Sequence, residues 1–149
     1  GLAPSAQLDG VRQQVLLEED LVAVLAPSHR LAGRRRLALA DLQDEALVDF
    51  PRGTGARRQT DDAFAAAGLP HAVRFEVNLM ELVERFVRQG LAIGIVPVSI
   101  AAGFQHVQQV PLQPTPTRRV HLVWQRLPTP AARAFVQAVL SRAGAGSGP

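Results

Sequence analysis

Leu79-Met80-Glu81-Leu82-Val83-Glu84-Arg85-Phe86-Val87-Arg88-Gln89-Gly90-Leu91-Ala92-Ile93-Gly94-Ile95-Val96-Pro97 places a helix, a stop and a strand in direct succession. Leu79, Leu82, Val83, Phe86 and Val87 recur at i, i+3, i+4, i+7 and i+8, which predicts an amphipathic helix over Leu79–Gln89. Asn78 is its N-cap candidate and Gly90 its C′ residue. Glu81–Arg85 and Glu84–Arg88 are i,i+4 pairs in the favourable order on the solvent face. Leu91–Val96, closed by Pro97, has the continuous apolar character of a strand buried on both faces.

The same alternation extends in both directions. Upstream, Val11, Val15, Leu16 and Leu17 suggest a strand, Glu18-Glu19-Asp20 a break, and Leu21–Ala26 a second buried strand stopped by Pro27. An arginine-rich loop follows (Ser28–Arg36), then a helical turn at Leu39–Leu42 and a short buried strand at Ala46–Phe50. Beyond the Gly53-Thr54-Gly55 turn, a helix is expected with Thr60, Ala63, Phe64 and Ala67 inward and Gly68 as its stop. Val73–Val77 alternates like an edge strand. Downstream, a short helix is expected at Val98–Ala102, and strands at Val107–Leu112 and Arg119–Trp124. A last helix is capped by Thr129, opens on Pro130 and buries Ala132, Phe135, Val136, Val139 and Leu140. Strands alternating with helices across short Gly- and Pro-marked turns predict an α/β fold.

Composition limits the function classes. The 149 residues are 47% hydrophobic and 19% charged, which excludes intrinsic disorder. All 16 basic residues are Arg, and Lys, Tyr and Cys are absent. With few groups titrating between His and Arg, a net charge of +3 drives the calculated pI to about 11.2. That pI overstates the basicity, and +3 is too small to argue for nucleic acid. Without Cys there is no disulfide, thiolate metal site or cysteine nucleophile. No run approaches the roughly 18 apolar residues of a membrane span, and Gly1–Gly10 does not read as a signal peptide.

Catalytic constellations are scarce. His29, His71, His106 and His121 are dispersed without metal-ligand spacing, and no serine lies in G-x-S-x-G. Gly90-Leu91-Ala92-Ile93-Gly94 precedes a strand, so it reads as a helix stop rather than a dinucleotide loop. Asp61-Asp62 suits the dipole of a helix start. No enzyme activity, cofactor or metal is expected. Arg34-Arg35-Arg36 reads as a solvated loop rather than a DNA-binding surface. Arg57-Arg58 has two readings, an exposed helix start or an anion-holding one. Phe50–Gly55 follows a strand, where ligand loops of open α/β sheets gather. Asn78 likewise reads as a helix cap alone, or as a cap that also faces a ligand.

The order of these segments resembles LysR-type transcriptional regulators. Leu21–Ala32 is similar to that family's apolar strand, Pro, x, His, x, Leu-Ala segment. Ala38–Leu42 resembles its next turn, Arg57–Gly68 its Arg…Asp-x-x-Phe…Gly helix, and Leu82–Pro97 its most distinctive stretch, here with Ala92 in place of the usual Gly. Pro130–Phe135 is similar to its closing helix. The resemblance implies an effector-binding domain of the type 2 periplasmic-binding-protein-like α/β fold, with two lobes of mixed sheets and a small metabolite, such as an organic anion, between them. It implies the end of the first lobe and a crossover in residues 1–18, the second lobe in 19–96, and the crossover and C-terminal part of the first lobe in 97–143. Residues 144–149 would be a flexible tail. The usual first strand–helix units fall before Gly1, so the first lobe is expected to be incomplete, and the helix-turn-helix that contacts DNA lies outside this chain.

Carried over, the effector-facing positions are Phe50, Gly53, Thr54, Gly55, Asn78 and Leu79, with Pro97 opening the hinge. Thr54 and Asn78 would supply hydrogen bonds, and the N–H groups near Gly53–Ala56 would face an effector carboxylate. Further implications are a homo-oligomer, dimer or tetramer in the complete protein, a cytoplasmic location, and no membrane partner. Two alternatives stand: a periplasmic-type solute-binding protein of the same fold, and a truncated oligomerisation fragment without ligand binding.

Overall fold

The computed structural model describes residues 6–8, 11–125 and 130–146. Its contacts divide the chain into two units, one of residues 1–18 and 118–149, the other of 19–117. The chain leaves the second unit between Thr117 and Arg118.

In the second unit, the Leu21–Leu25 end of strand β2 (Val11–Leu25) lies between two antiparallel partners, β5 (Gly94–Pro97) and β6 (Gln108–Pro111). Val22 faces Val96 on one side and Pro111 on the other. Every residue from Leu21 to Ala26 is buried. Ala23 and Leu25 enter one core with Leu31, Leu37, Leu42, Phe64 and Ile93, whereas Val22 and Val24 enter another with Val48, Val83, Val87 and Val96. A strand packed on both faces needs no polar alternation, which is why this run is continuously apolar. Strand β3 (Leu47–Asp49) pairs in parallel with β4 (Val73–Glu76), and hydrogen bonds from Val48 N to Ile93 O (3.0 Å) and from Ile93 N to Ala46 O (2.8 Å) join β3 to the segment entering β5.

Helix α1 (Gly55–Ala66) packs Phe64 into the first core, and α2 (Met80–Arg88) packs Val83 and Val87 into the second. Gly90 has φ +74°, the left-handed stop expected of it. Gly94 is a place of close approach: a Cβ there would lie 3.1 Å from Val24 Cγ2 and Val83 Cγ1. A 3-10 turn spans Leu39–Leu42, held by Asp41 Oδ2 accepting from Ala38 N (2.8 Å), and α3 (Val98–Ala101) follows β5.

In the first unit, β1 (Ala6–Leu8) pairs antiparallel with the start of β2, strand β7 (Thr117–Gln125) also pairs with β2, and α4 covers Pro130–Gly146.

Several expectations are corrected. Glu18-Glu19-Asp20 does not break β2; the ladder uses backbone groups, and the charged side chains find partners, Glu18 with Arg119 (3.5 Å) and Glu19 with Ser99 (2.6 Å). Ala67 is exposed because α1 ends at Ala66, and Arg57 takes the inward place. Leu91 is 50% exposed, since the strand starts only at Gly94. Phe135 is 66% exposed, while Val136 is the buried residue of that face. Helix α4 extends to Gly146, so it takes in the first three residues of the stretch read as a tail. Thr129 and the side chain of Ala132 lie outside the described residues.

Leu25→Ala is expected to lower the unfolding free energy by about 2–5 kcal/mol, the usual cost of emptying a filled core site. Leu91→Ala is expected to change it by less than about 0.5 kcal/mol. Urea denaturation of both variants checks the pair.

Candidate functional site

Register brings the predicted positions to one edge of the second unit. Asp49 pairs with Glu76 at the ends of parallel strands, and Val77 N donates to Asp49 O (3.0 Å). The Phe50–Gly55 loop and the Asn78-Leu79 connection therefore leave adjacent strands in the same direction. The bridge between Leu47 and Ile93 is also parallel, so Pro97 ends its strand toward that same edge. Pro97 itself is buried opposite Leu21.

The loop is built from local side-chain bonds. Phe50 N donates to Asp49 Oδ1 (2.6 Å) and Phe50 O accepts from Arg57 Nη1 (2.9 Å), so both backbone groups of Phe50 are held. Gly53 has φ +89° and is exposed, a conformation that suits glycine. Thr54 is the N-cap of α1: its Oγ1 accepts from Arg57 N (3.3 Å) and donates to Pro51 O (2.8 Å). Its single hydroxyl proton is thereby committed, leaving Thr54 able to accept a ligand hydrogen bond but not to donate one. Gly55 opens α1 and is exposed.

Two expectations fail here. Asn78 is not the cap of α2; that place belongs to Leu79, whose extended backbone (φ −133°, ψ 138°) carries no side-chain cap bond. Asn78 is exposed, and the helix starts one residue later than its periodicity suggests. The exposed helix start read at Arg57-Arg58 does not hold for Arg57, whose side chain is turned inward. It is 2% exposed, and its guanidinium meets Asp61 Oδ1 (3.0 Å) and Glu76 Oε1 (3.3 Å) as well as Phe50 O.

Sequence reasoning missed what surrounds Arg57. His71, its side chain 6% exposed, is stacked on Phe64 at 4.3 Å, with Nδ1 2.7 Å from Asp61 Oδ1 and Nε2 3.6 Å from Asp49 Oδ2. Thr60 Oγ1 lies 2.6 Å from Asp49 Oδ2 and donates there. Three acids from β3, α1 and β4 thus share Arg57 and His71. Burial pushes the Asp49 carboxyl above its ordinary value, against opposing bonds from Thr60 and Phe50. Burial also acts to raise Asp61, but hydrogen bonds from His71 and Arg57 outweigh it and hold that carboxyl below the ordinary 3.8. Burial disfavours the Arg57 charge, yet Asp61 and Glu76 more than restore it. Among the described residues, no group of three or more His, Cys, Asp or Glu is arranged to hold a metal ion. No helix of the described residues is long and apolar enough to cross a membrane.

Comparison with known proteins gives consistent results. A family model described as the LysR substrate binding domain matches residues 2–144. The RuBisCO operon transcriptional regulator of Allochromatium vinosum is 30% identical over 139 residues, covering 89% of this chain and 46% of that protein. The chain spans less than half the length of the curated relatives it matches first. Among solved structures, the regulatory domain of CcmR from Synechocystis PCC6803 in complex with 2-PG has a TM-score of 0.77 at 18% identity, covering 95% of this chain and 72% of that one. The effector-binding domain of QuiR in complex with shikimate has a TM-score of 0.77 at 22% identity, covering 96% and 70% respectively. The α/β fold is accordingly that of LysR regulatory domains, the type 2 periplasmic-binding-protein-like class.

Because the folded state lowers the Asp61 pKa, Asp61 contributes stability above 3.8, and that contribution is lost as pH falls through the folded value. Asp61→Asn should therefore be less stable than the parent at pH 7, with the gap closing steadily below pH 3.8. Denaturant midpoints measured from pH 7 downward give the result directly.

Proposed function

The chain belongs to the LysR substrate-binding domain family, and from that membership we propose that it is the effector-sensing part of a transcriptional regulator. In this reading it is cytoplasmic and non-enzymatic, and binds a small metabolite through the Phe50–Gly55 loop and the Asn78-Leu79 connection. Binding is transmitted through oligomer contacts to a DNA-binding domain outside these residues.

The observation that carries the reading is the exposed Asn78 beside the Phe50 loop, at the carboxyl ends of two parallel strands. That is where open α/β sheets present ligand-binding groups. Asn78 has no helix to cap, so its amide is available to a ligand as both donor and acceptor. The amides of the exposed residues Gly53, Gly55 and Ala56 and the positive end of α1 suit an effector carboxylate, whereas Thr54 N is already given to Pro51 O (3.3 Å). The ligands named for the CcmR and QuiR domains, 2-PG and shikimate, support a small-molecule effector and supply the first probes. A ligand acts only through unequal affinity for two states, so the effector must change the DNA affinity of the complete regulator.

Calorimetry on the complete regulator, beginning with shikimate and 2-PG and widening to a metabolite panel, is expected to find a compound that binds and shifts operator affinity. Failure of every compound to couple to DNA would refute the proposal. For that compound, Asn78→Ala should weaken binding about three- to tenfold, the worth of one hydrogen bond. The thermal midpoint should not change, because no cap is removed.

A further inference from the structure

We propose that Arg57 is a positioning residue for the Phe50–Gly55 loop, a buried strut that fixes the Phe50 carbonyl against the end of β4. The inference deepens the effector reading and rests on it for its functional meaning.

Arg57 joins three elements at once. Nη1 donates to Phe50 O (2.9 Å) and to Glu76 Oε1 (3.3 Å), while Nε donates to Asp61 Oδ1 (3.0 Å). Phe50 opens the loop, Glu76 ends β4, and Asp61 sits one turn further along α1. The side chain is buried whereas those of Asp61 and Glu76 are nearly half exposed, so the cation is enclosed and its acids form the rim. Asp49 holds the other backbone group of Phe50, and His71 approaches both Asp49 and Asp61. Residues 50, 51 and 54 are all tied by side chains to this network. A planar guanidinium reaches acceptors in separate directions, which a lysine ammonium on one nitrogen cannot reproduce in the same geometry. The loop amides then point where they do because Arg57 holds the carbonyl from which the loop departs. A carbonyl released from a charged donor inside a low-dielectric site would have to find another partner or turn toward water, moving the loop with it.

The test is amide hydrogen exchange by NMR on the 149-residue chain. Loop amides of Phe50, Thr54, Arg57 and Arg58, all hydrogen-bonded, are compared with core amides of Leu21 and Ala23, which lie outside the core that Val83 fills. Arg57→Lys is expected to raise exchange in the loop about tenfold relative to the core, and Glu76→Gln about threefold. Val83→Ala, which empties part of the core on α2 away from the network, should leave the loop-to-core ratio unchanged. If both network variants shift loop and core in parallel, as Val83→Ala does, Arg57 is merely structural and the proposal fails. Should Arg57→Lys not fold, the ratio in Glu76→Gln decides the matter by the same criterion. Titration of the parent with shikimate, 2-PG and then the wider metabolite panel separates this from the effector reading. Selective loop exchange without ligand-dependent shifts at residues 50–55 upholds the strut and counts against that reading; such shifts with an unchanged ratio do the reverse.

Discussion

Burial of one strand on both faces organises the second unit. Between Leu21 and Ala26 there is no solvent side, so alternate residues must each find a core, and two cores form on opposite faces of the sheet. Helix α1 closes one through Phe64, and α2 closes the other through Val83 and Val87. The close approach at Gly94 follows from the same constraint, since Val24 and Val83 already fill the space a Cβ would need. With both helices fixed on the sheet, the connections at the ends of β3 and β4 are delivered to one edge.

The elements legible in the sequence are those where period and punctuation agree. Leu82, Val83, Phe86 and Val87 followed by Gly90 could be little else than a helix and its stop, and Leu21–Ala26 closed by Pro27 could be little else than a buried strand. Legibility failed where side-chain chemistry was asked to report on backbone state. Three acids in a row at Glu18–Asp20 suggest a break, yet a strand tolerates them when its ladder continues. Asn78 carries a cap's chemistry, but the backbone turns helical one residue too late for it to serve. Phe135 matches the inward period of α4 and nevertheless faces out, because the stripe is centred on Val136.

The site network was illegible for a different reason. Its members are separated along the chain, and their meeting depends on the register of β3 against β4 and on the path from Gly68 to Val73. The one local signal was Arg57 and Asp61 at i,i+4, which sequence patterning assigns to a solvent face. What reverses that assignment is Thr60 and Phe64 on the same side of α1: a residue three before Thr60 and seven before Phe64 shares their inward direction. Helical geometry alone therefore places Arg57 inward, but only the tertiary partners make such burial tolerable. A buried cation needs close, hydrogen-bonded acids, and removing one partner of such a pair generally costs several kcal/mol.

Other arginines of the described residues also meet acids of this chain. Arg30 meets Glu45, Arg34 lies 3.7 Å from Asp41, Arg88 bonds Glu84 at 3.0 Å, and Arg119 meets Glu18. His29 joins the first of these clusters, accepting from Leu31 N through Nδ1 (3.0 Å) while Nε2 faces Glu45 (3.2 Å). Arg57 in turn makes a planar, multiply bonded contact, where a lysine would offer a single ammonium. A calculated pI of about 11.2 therefore records the absence of Lys, Tyr and Cys, and several of the charges behind it are paired with acids at the surface of the fold. Arg57 is the extreme case. The residue whose place at a helix start invited an anion-binding reading has its guanidinium bonded to three protein oxygens, which commits that charge to holding the loop and the end of β4.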